Sequence, residues 1–344
     1  MRRSRALWLV AAVLPASSGP VLAQSDSRLT LFGVSDVGIR RTDNGGARQT
    51  TLSADGNTPS RFGLRGTEDL GGGLWSGFWL EAGFDPSTGQ PASPGKFFNR
   101  RSTVSLGDNT WGELRLGRDY TPTFQGYVLY DPFFTSGVGA AFNVLAGPAL
   151  SNGSGAMTTV RADNAVQWLS PPGWGGFNGQ VMVAPSEGVP ASDYRGARVG
   201  YAKGPLDASA SWGSTHVPGG RYRIGTVGAT YRIEALKLSA FGISTAFAGR
   251  REWLRLVGAS YVVGAGEIRL SLAVKDARGA GTDGNDARQF ALGYVHNLSR
   301  RTALYTTASW LRNRAASASV VAIGTSVVAG QPSRGLEFGV RHAF

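Results

Sequence analysis

His216, His296 and His342 are the only imidazoles in 344 residues, and there is no cysteine. Thiol catalysis, cysteine-ligated zinc and iron–sulfur clusters are thereby excluded. A histidine base would need a positioned serine. His342 falls on an outward strand face and His296 beside a turn, so neither makes a credible one. Gly279-Ala-Gly-Thr-Asp-Gly284 matches a dinucleotide fingerprint in letters alone, since no helical pattern follows it. Asp283 and Asp286 could touch a divalent ion, but in a polar loop a solvated pair is the better reading. These residues point to no catalytic group, no cofactor and no metal. Arginine is what the chain has in excess. Of 35 basic side chains only Lys96, Lys203, Lys237 and Lys275 are lysines, and 23 acids leave a formal charge of +12. Guanidinium stays charged even among other cations, so the expected chemistry is electrostatic, from clustered and partly enclosed positive charge. A nucleic-acid binder would gather its cations on one face or arm. Here they recur at water-facing strand positions and in loops, and no nucleic-acid partner is expected.

The elements that position these charges read as strands. Fifty glycines are about twice the usual share of roughly 7%, which favours strands and tight turns over helices. Three arginines in residues 1–5, an apolar run over 6–14 and Val21-Leu22-Ala23 before Gln24 form a secretory signal. Pro15 and Pro20 cut that run too short for an anchor helix. Residues 1–23 are therefore expected to be removed, and losing Arg2, Arg3 and Arg5 takes the charge from +12 to about +9. In 24–344, sixteen segments alternate with period two: 29–40, 60–67, 74–84, 100–106, 113–119, 161–169, 177–184, 195–201, 206–213, 223–233, 236–247, 253–262, 267–276, 289–297, 302–311 and 335–344. In 267–276, Ile268, Leu270, Leu272 and Val274 share one face, while Glu267, Arg269, Ser271, Ala273 and Lys275 share the other. One face suits lipid and the other water. Short connections (203–205, 234–235, 263–266) alternate with longer polar ones (85–95, 120–159, 185–193, 214–222, 277–288, 312–334). That rhythm describes a transmembrane β-barrel. The final segment, with Leu336, Phe338, Val340 and His342 on one face and a terminal Phe344, is expected to close the barrel against the first. The stretch 120–159 has no strand pattern but carries apolar clusters at 127–130, 133–134 and 140–145, so it belongs inside the lumen, narrowing a channel. Trp111, Trp174, Trp253, Tyr305 and Trp310 fit interfacial girdles.

Six strings carry a family resemblance: LTLFGVSD (29–36), SRFGLRGTEDLGGGL (60–74), RRSTVSLGDNTWGELRLGRDYTPT (100–123), RADNAVQWLSPPGWGGF (161–177), GYVHNLSRRTALY (293–305) and GVRHAF (339–344). With them the chain resembles a Gram-negative general porin of the β-proteobacterial, anion-selective kind. The resemblance implies an all-β, sixteen-stranded antiparallel barrel in the outer membrane, assembled as a homotrimer in contact with lipid and lipopolysaccharide. It also implies that the third external loop, 120–159, folds inward to form the eyelet of a water-filled pore for passive diffusion of small hydrophilic, chiefly anionic solutes.

Carried over by motif, the eyelet cluster falls on Arg61, Arg100 and Arg161. The opposing acids are Glu81 on the wall, Asp119 at the loop's entrance and Asp131 within it. The loop lacks an acidic tip and is rich in Gly and Ala, so the field across the eyelet is expected to be one-sided. Arg101 is expected to face opposite to Arg100, making one of the pair structural. Leu29 and Leu31 are candidates for a subunit interface. Two alternatives stand beside an open diffusion pore. One is a substrate-specific channel with a saturable anion or organic-acid site, drawing on Tyr127, Tyr130, Phe133 and Phe134. The other, less favoured, is an outer-membrane barrel enzyme.

Overall fold

The structure, a computed structural model, describes residues 28–145 and 152–344. The expected signal segment 1–23 lies outside the described residues, as does the stretch 146–151 of the third loop.

Seventeen strands follow one another in a single antiparallel sheet. They are β1 (Arg28–Asn44), β2 (Ala47–Ser53), β3 (Arg61–Gly71), β4 (Leu74–Gly83), β5 (Arg101–Asp108), β6 (Gly112–Tyr120), β7 (Arg161–Leu169), β8 (Phe177–Ala184), β9 (Tyr194–Lys203), β10 (Leu206–Val217), β11 (Gly220–Ile233), β12 (Leu236–Phe247), β13 (Arg250–Val263), β14 (Gly266–Arg278), β15 (Ala287–Asn297), β16 (Thr302–Asn313) and β17 (Ser333–Ala343). Two of them are halves of one stave. β2 pairs with the upper part of β1, from Gly38↔Ser53 to Asn44↔Ala47. β3 pairs with its lower part, from Arg28↔Thr67 to Val34↔Arg61. Residues 54–60 between them leave the sheet. β17 returns to β1, from Val34↔Ala343 to Asn44↔Ser333, and the Gly33 N–H donates to the Phe344 carbonyl at 3.0 Å. The result is a closed barrel of sixteen staves, which satisfies every stave's backbone without leaving an edge in lipid.

The alternation sorts side chains as the pattern of 267–276 predicts. Leu270 and Leu272 are exposed on the outer face, whereas Arg269, Ser271, Ala273 and Lys275 are buried inside. Tyr305 departs from its expected place in a girdle. It is buried, and its hydroxyl donates to Asp36 Oδ1 at 2.6 Å on the inner side. Trp310 is five residues away and so points out. The loop expected over 214–222 is largely strand, because β10 and β11 continue to a tight turn at 218–219.

The third loop runs along the inner wall. It opens with a short helix, α1 (Pro122–Val128), whose N-cap Thr121 accepts from the Phe124 N–H and whose first turn starts on a proline. Phe124, Tyr127, Tyr130, Val138, Val144 and Leu145 then pack on Ile224, Phe241, Ile243, Leu254 and Leu256 of β11–β13. Two glycines make this approach possible. A Cβ on Gly228 would stand 2.2 Å from the Tyr130 ring, and one on Gly258 would stand 2.6 Å from Pro132. The interior strip of apolar residues thus serves the loop, while the rest of the inner wall stays polar.

Candidate functional site

Five side chains meet where the third loop leaves the wall. Arg61 opens β3, Arg100 stands one residue ahead of β5, Arg161 opens β7, Glu81 lies near the end of β4 and Tyr120 closes β6. Arg100 Nε donates to Glu81 Oε1 at 2.5 Å, and Arg61 Nε is 3.6 Å from the same oxygen. The Tyr120 hydroxyl accepts from Arg100 at 2.9 Å and from Arg161 at 2.7 Å. Arg161 Nε also donates to the Arg100 carbonyl at 2.9 Å, and its guanidinium lies 4.3 Å from the centre of the Tyr120 ring, a favourable cation–π placement. Tyr120 in turn stacks on Phe124 of α1, 4.8 Å between centroids and 10° from parallel. The loop helix therefore sets the tyrosine, and the tyrosine sets two arginines. Arg61 and Arg100 share one carboxylate while Arg161 is held by Tyr120 and the Arg100 carbonyl, so the group of five carries a local excess of two positive charges.

A second cluster lies toward the short-turn end. Arg115 Nε donates to Glu113 Oε1, and its Nη1 to Asp119 Oδ2, both at 2.7 Å. Gln167 donates to the same Asp119 oxygen at 3.0 Å. Arg101 stands 3.7 Å from Asp119, and its guanidinium lies 4.5 Å from the Trp79 ring centre, with Arg65 at 5.1 Å from that ring. The Trp79 indole N–H donates to Glu81 Oε2 at 3.2 Å and so ties the two clusters together. A cavity of about 820 Å³ opens here, lined by Arg65, Arg101, Arg115, Trp75 and Trp79 among others.

Of the six expected residues, the structure brings Arg61, Arg100, Arg161 and Glu81 together. Asp119 is placed with Arg101 and Arg115 instead. Asp131 is buried within the loop, where it accepts N–H groups from Phe133 (3.0 Å), Thr135 (3.2 Å) and Ala141 (2.9 Å). Its carboxylate organises the loop tip rather than facing the arginines. Burial outweighs those three hydrogen bonds and pushes its pKa up to about 6. Arg100 and Arg101 do not point to opposite sides of the wall. β5 begins at Arg101, so strand alternation does not bind Arg100, and both side chains reach the interior carboxylates.

Tyr120, Arg115 and Trp79 are contributors that the sequence reading did not single out, and Arg101 is one that it expected to face away from Arg100. Tyr120 served there only as a loop boundary, though it sits inside the RDYTPT string. Glu337 of β17 is another. It is fully buried, accepts from Arg40 Nε at 3.0 Å and the Val138 N–H at 3.3 Å, and bonds the Ser53 hydroxyl, holding the far end of the loop. The histidines serve local contacts: His296 meets the Tyr294 hydroxyl at 3.2 Å and His342 meets Thr302 at 2.9 Å. Asp283 and Asp286 accept the Gly279 and Ala277 N–H groups of their own loop at 2.8 and 3.2 Å.

Comparison with known proteins agrees with the fold. The sequence model of the Gram-negative porin family matches residues 9–316. The chain is 38% identical to outer membrane porin protein 32 of Delftia acidovorans, over 98% of this chain and 99% of that one. It is 28% identical to an outer membrane porin of Bordetella pertussis, over 89% and 94% of the two chains. Among solved structures, the anion-selective porin from Comamonas acidovorans superposes with a TM-score of 0.83 at 38% identity, covering 93% of this chain and all of that one. A closed β-barrel, a lumen carrying an inward loop and this degree of likeness lead to one conclusion: the chain belongs to the Gram-negative porin family and is an outer-membrane porin.

Proposed function

We propose that this porin is an anion-selective diffusion channel, with no enzymatic step, and that Arg61, Arg100 and Arg161 form the charged wall of its constriction opposite the third loop. The observation that carries the reading is the gathering of three guanidinium groups around one carboxylate and one phenol: Arg61 and Arg100 on Glu81, Arg100 and Arg161 on Tyr120. In a lumen walled by low-dielectric protein, such an excess focuses positive potential, concentrates small anions and repels cations. The relative with the 0.83 superposition is itself titled anion-selective, which supports the same direction here. The zero-current potential across a planar bilayer holding a KCl gradient tests the proposal. A potential of the sign set by chloride is expected; one set by potassium would overturn it.

A second reading is favoured by the arginine–tryptophan chamber. Guanidinium groups over Trp79 offer an organic anion both charge and an aromatic floor, so a saturable organic-acid site is the alternative to an open pore. Conductance that plateaus with organic-acid concentration would favour it, and a near-linear rise would favour simple diffusion. Export by removal of residues 1–23 and assembly as a homotrimer complete the proposal. Leu29 and Leu31, 70% and 63% exposed on the outer face of β1, supply apolar surface for a neighbouring copy.

A further inference from the structure

Residues 54–60 leave the sheet between β2 and β3, and their contacts carry them into the lumen. Asp36, fully buried on the inner face of β1, is their anchor. Its Oδ2 accepts the N–H groups of Asn57 and Thr58 at 3.2 and 3.0 Å, while Tyr305 holds the other oxygen. The Ser60 hydroxyl accepts the Asp36 N–H at 2.9 Å, and the Ser60 N–H donates to the Ala54 carbonyl at 3.1 Å, which closes the segment on itself. From this anchor the Asn57 side chain reaches the far wall. Its Oδ1 accepts from Arg269 Nη1 of β14 at 2.8 Å, although β15, β16 and β17 stand between β14 and β1 around the barrel. The tip of the third loop rests on the same segment, since a Cβ on Gly137 would stand 2.3 Å from the Gly56 carbonyl oxygen. Residues 54–60 therefore run as a chord across the bore.

The chord carries Arg61. Nη1 of that arginine donates to Thr58 Oγ1 at 3.1 Å and to the Pro59 carbonyl at 2.9 Å. Both acceptors are neutral. A guanidinium closed on a carboxylate has its field largely cancelled, whereas one held by a hydroxyl and a carbonyl has its N–H groups satisfied and keeps its full charge. The two arginines at Glu81 show the difference. Arg100 Nε sits 2.5 Å from Glu81 Oε1, but Arg61 Nε stands 3.6 Å from the same oxygen. Coulomb attraction favours closing that gap, and the two acceptors on the chord oppose it.

We propose that residues 54–60 are a strap that positions Arg61 for anion selection: Thr58 and the Pro59 carbonyl hold its guanidinium off Glu81, while Asp36 and Arg269 tie the strap to opposite walls. Thr58 is a positioning residue, acting on a passing ion through Arg61. The inference rests on the reading of Arg61 as part of the selective constriction, and it names the element that sets how much of that charge the pore feels.

Zero-current potentials of the full chain in a planar bilayer with a KCl gradient test it through substitutions that leave formal charge unchanged. Thr58→Val keeps the side chain's shape and removes the acceptor. A retreat of Arg61 by about 1.5 Å from an ion passing at about 5 Å lowers the chloride-to-potassium permeability ratio about twofold at the dielectric of bulk water, and that is the expected shift. Thr58→Ser keeps the hydroxyl and should match the wild type. In an Arg61→Gln background Thr58→Val should change nothing, because the effect belongs to the pair in contact. If the valine variant does not fold, Thr58→Ala carries the same arm. A wild-type potential of potassium sign would refute the selectivity reading and the strap with it. Beside a wild type of chloride sign, an unchanged ratio in Thr58→Val, a serine variant that behaves like the valine one, or the same shift in the Arg61→Gln background would each overturn the strap alone.

Discussion

Replacing Glu81 with glutamine removes the one carboxylate that Arg61 and Arg100 share while keeping the side chain's shape. The contacts of 2.5 and 3.6 Å correspond to gross attractions of about 7 and 5 kcal/mol at an effective dielectric of about 20, and hydration of the freed guanidinium groups offsets much of that. The effect on permeation is easier to bound. Adding one net positive charge changes the energy of an ion passing at about 5 Å by about 0.8 kcal/mol even at the dielectric of bulk water. That is roughly a fourfold gain for chloride and a fourfold loss for potassium, so the permeability ratio should rise by about an order of magnitude. Zero-current potentials in a KCl gradient, recorded for the wild type and Glu81→Gln, read this directly. Circular dichroism establishes that the barrel is intact. A potential that does not move, or moves toward potassium, would refute the claim that Glu81 and its arginines face the ion path.

Gly228→Val should push Tyr130 off the wall, because the added Cβ would stand 2.2 Å from its ring. An overpacked contact of this kind costs about 1–3 kcal/mol, read as a lower thermal midpoint and an altered single-channel conductance. Asp131, raised to about 6 from 3.8, stabilises the loop most in its protonated form. The contribution is complete below about pH 4 and is lost as pH rises through 6. Channel closure and thermal stability measured from pH 4 to 8 should follow that course, and Asp131→Asn should flatten it.

Most of the barrel was legible because the bilayer imposes a strict rule on each stave. Ile268, Leu270, Leu272 and Val274 announce a lipid face that nothing else explains. β2 was not legible, since Ala47–Ser53 has no apolar face and pairs only with the upper end of β1. Tyr305 was misplaced although parity could have corrected it: residues 305 and 310 cannot share a face. The arginine trio came through the motif strings, but its partners depended on where strands stop. Arg100 escapes alternation because β5 starts one residue later, and Asp119 turns to Arg115 beside a register shift between Gly117 and Asp119. Asp131 looked like a pore acid because its burial is a property of the loop's path, which no local pattern encodes.

The central claim is that the three converging arginines make the pore prefer anions. The zero-current potential of Arg100→Glu against wild type tests it most directly, because the substitution moves two units of charge at the point where all five side chains meet. The account predicts a wild-type potential of chloride sign and a marked shift toward potassium in the variant. Equal potentials for the two proteins would contradict it.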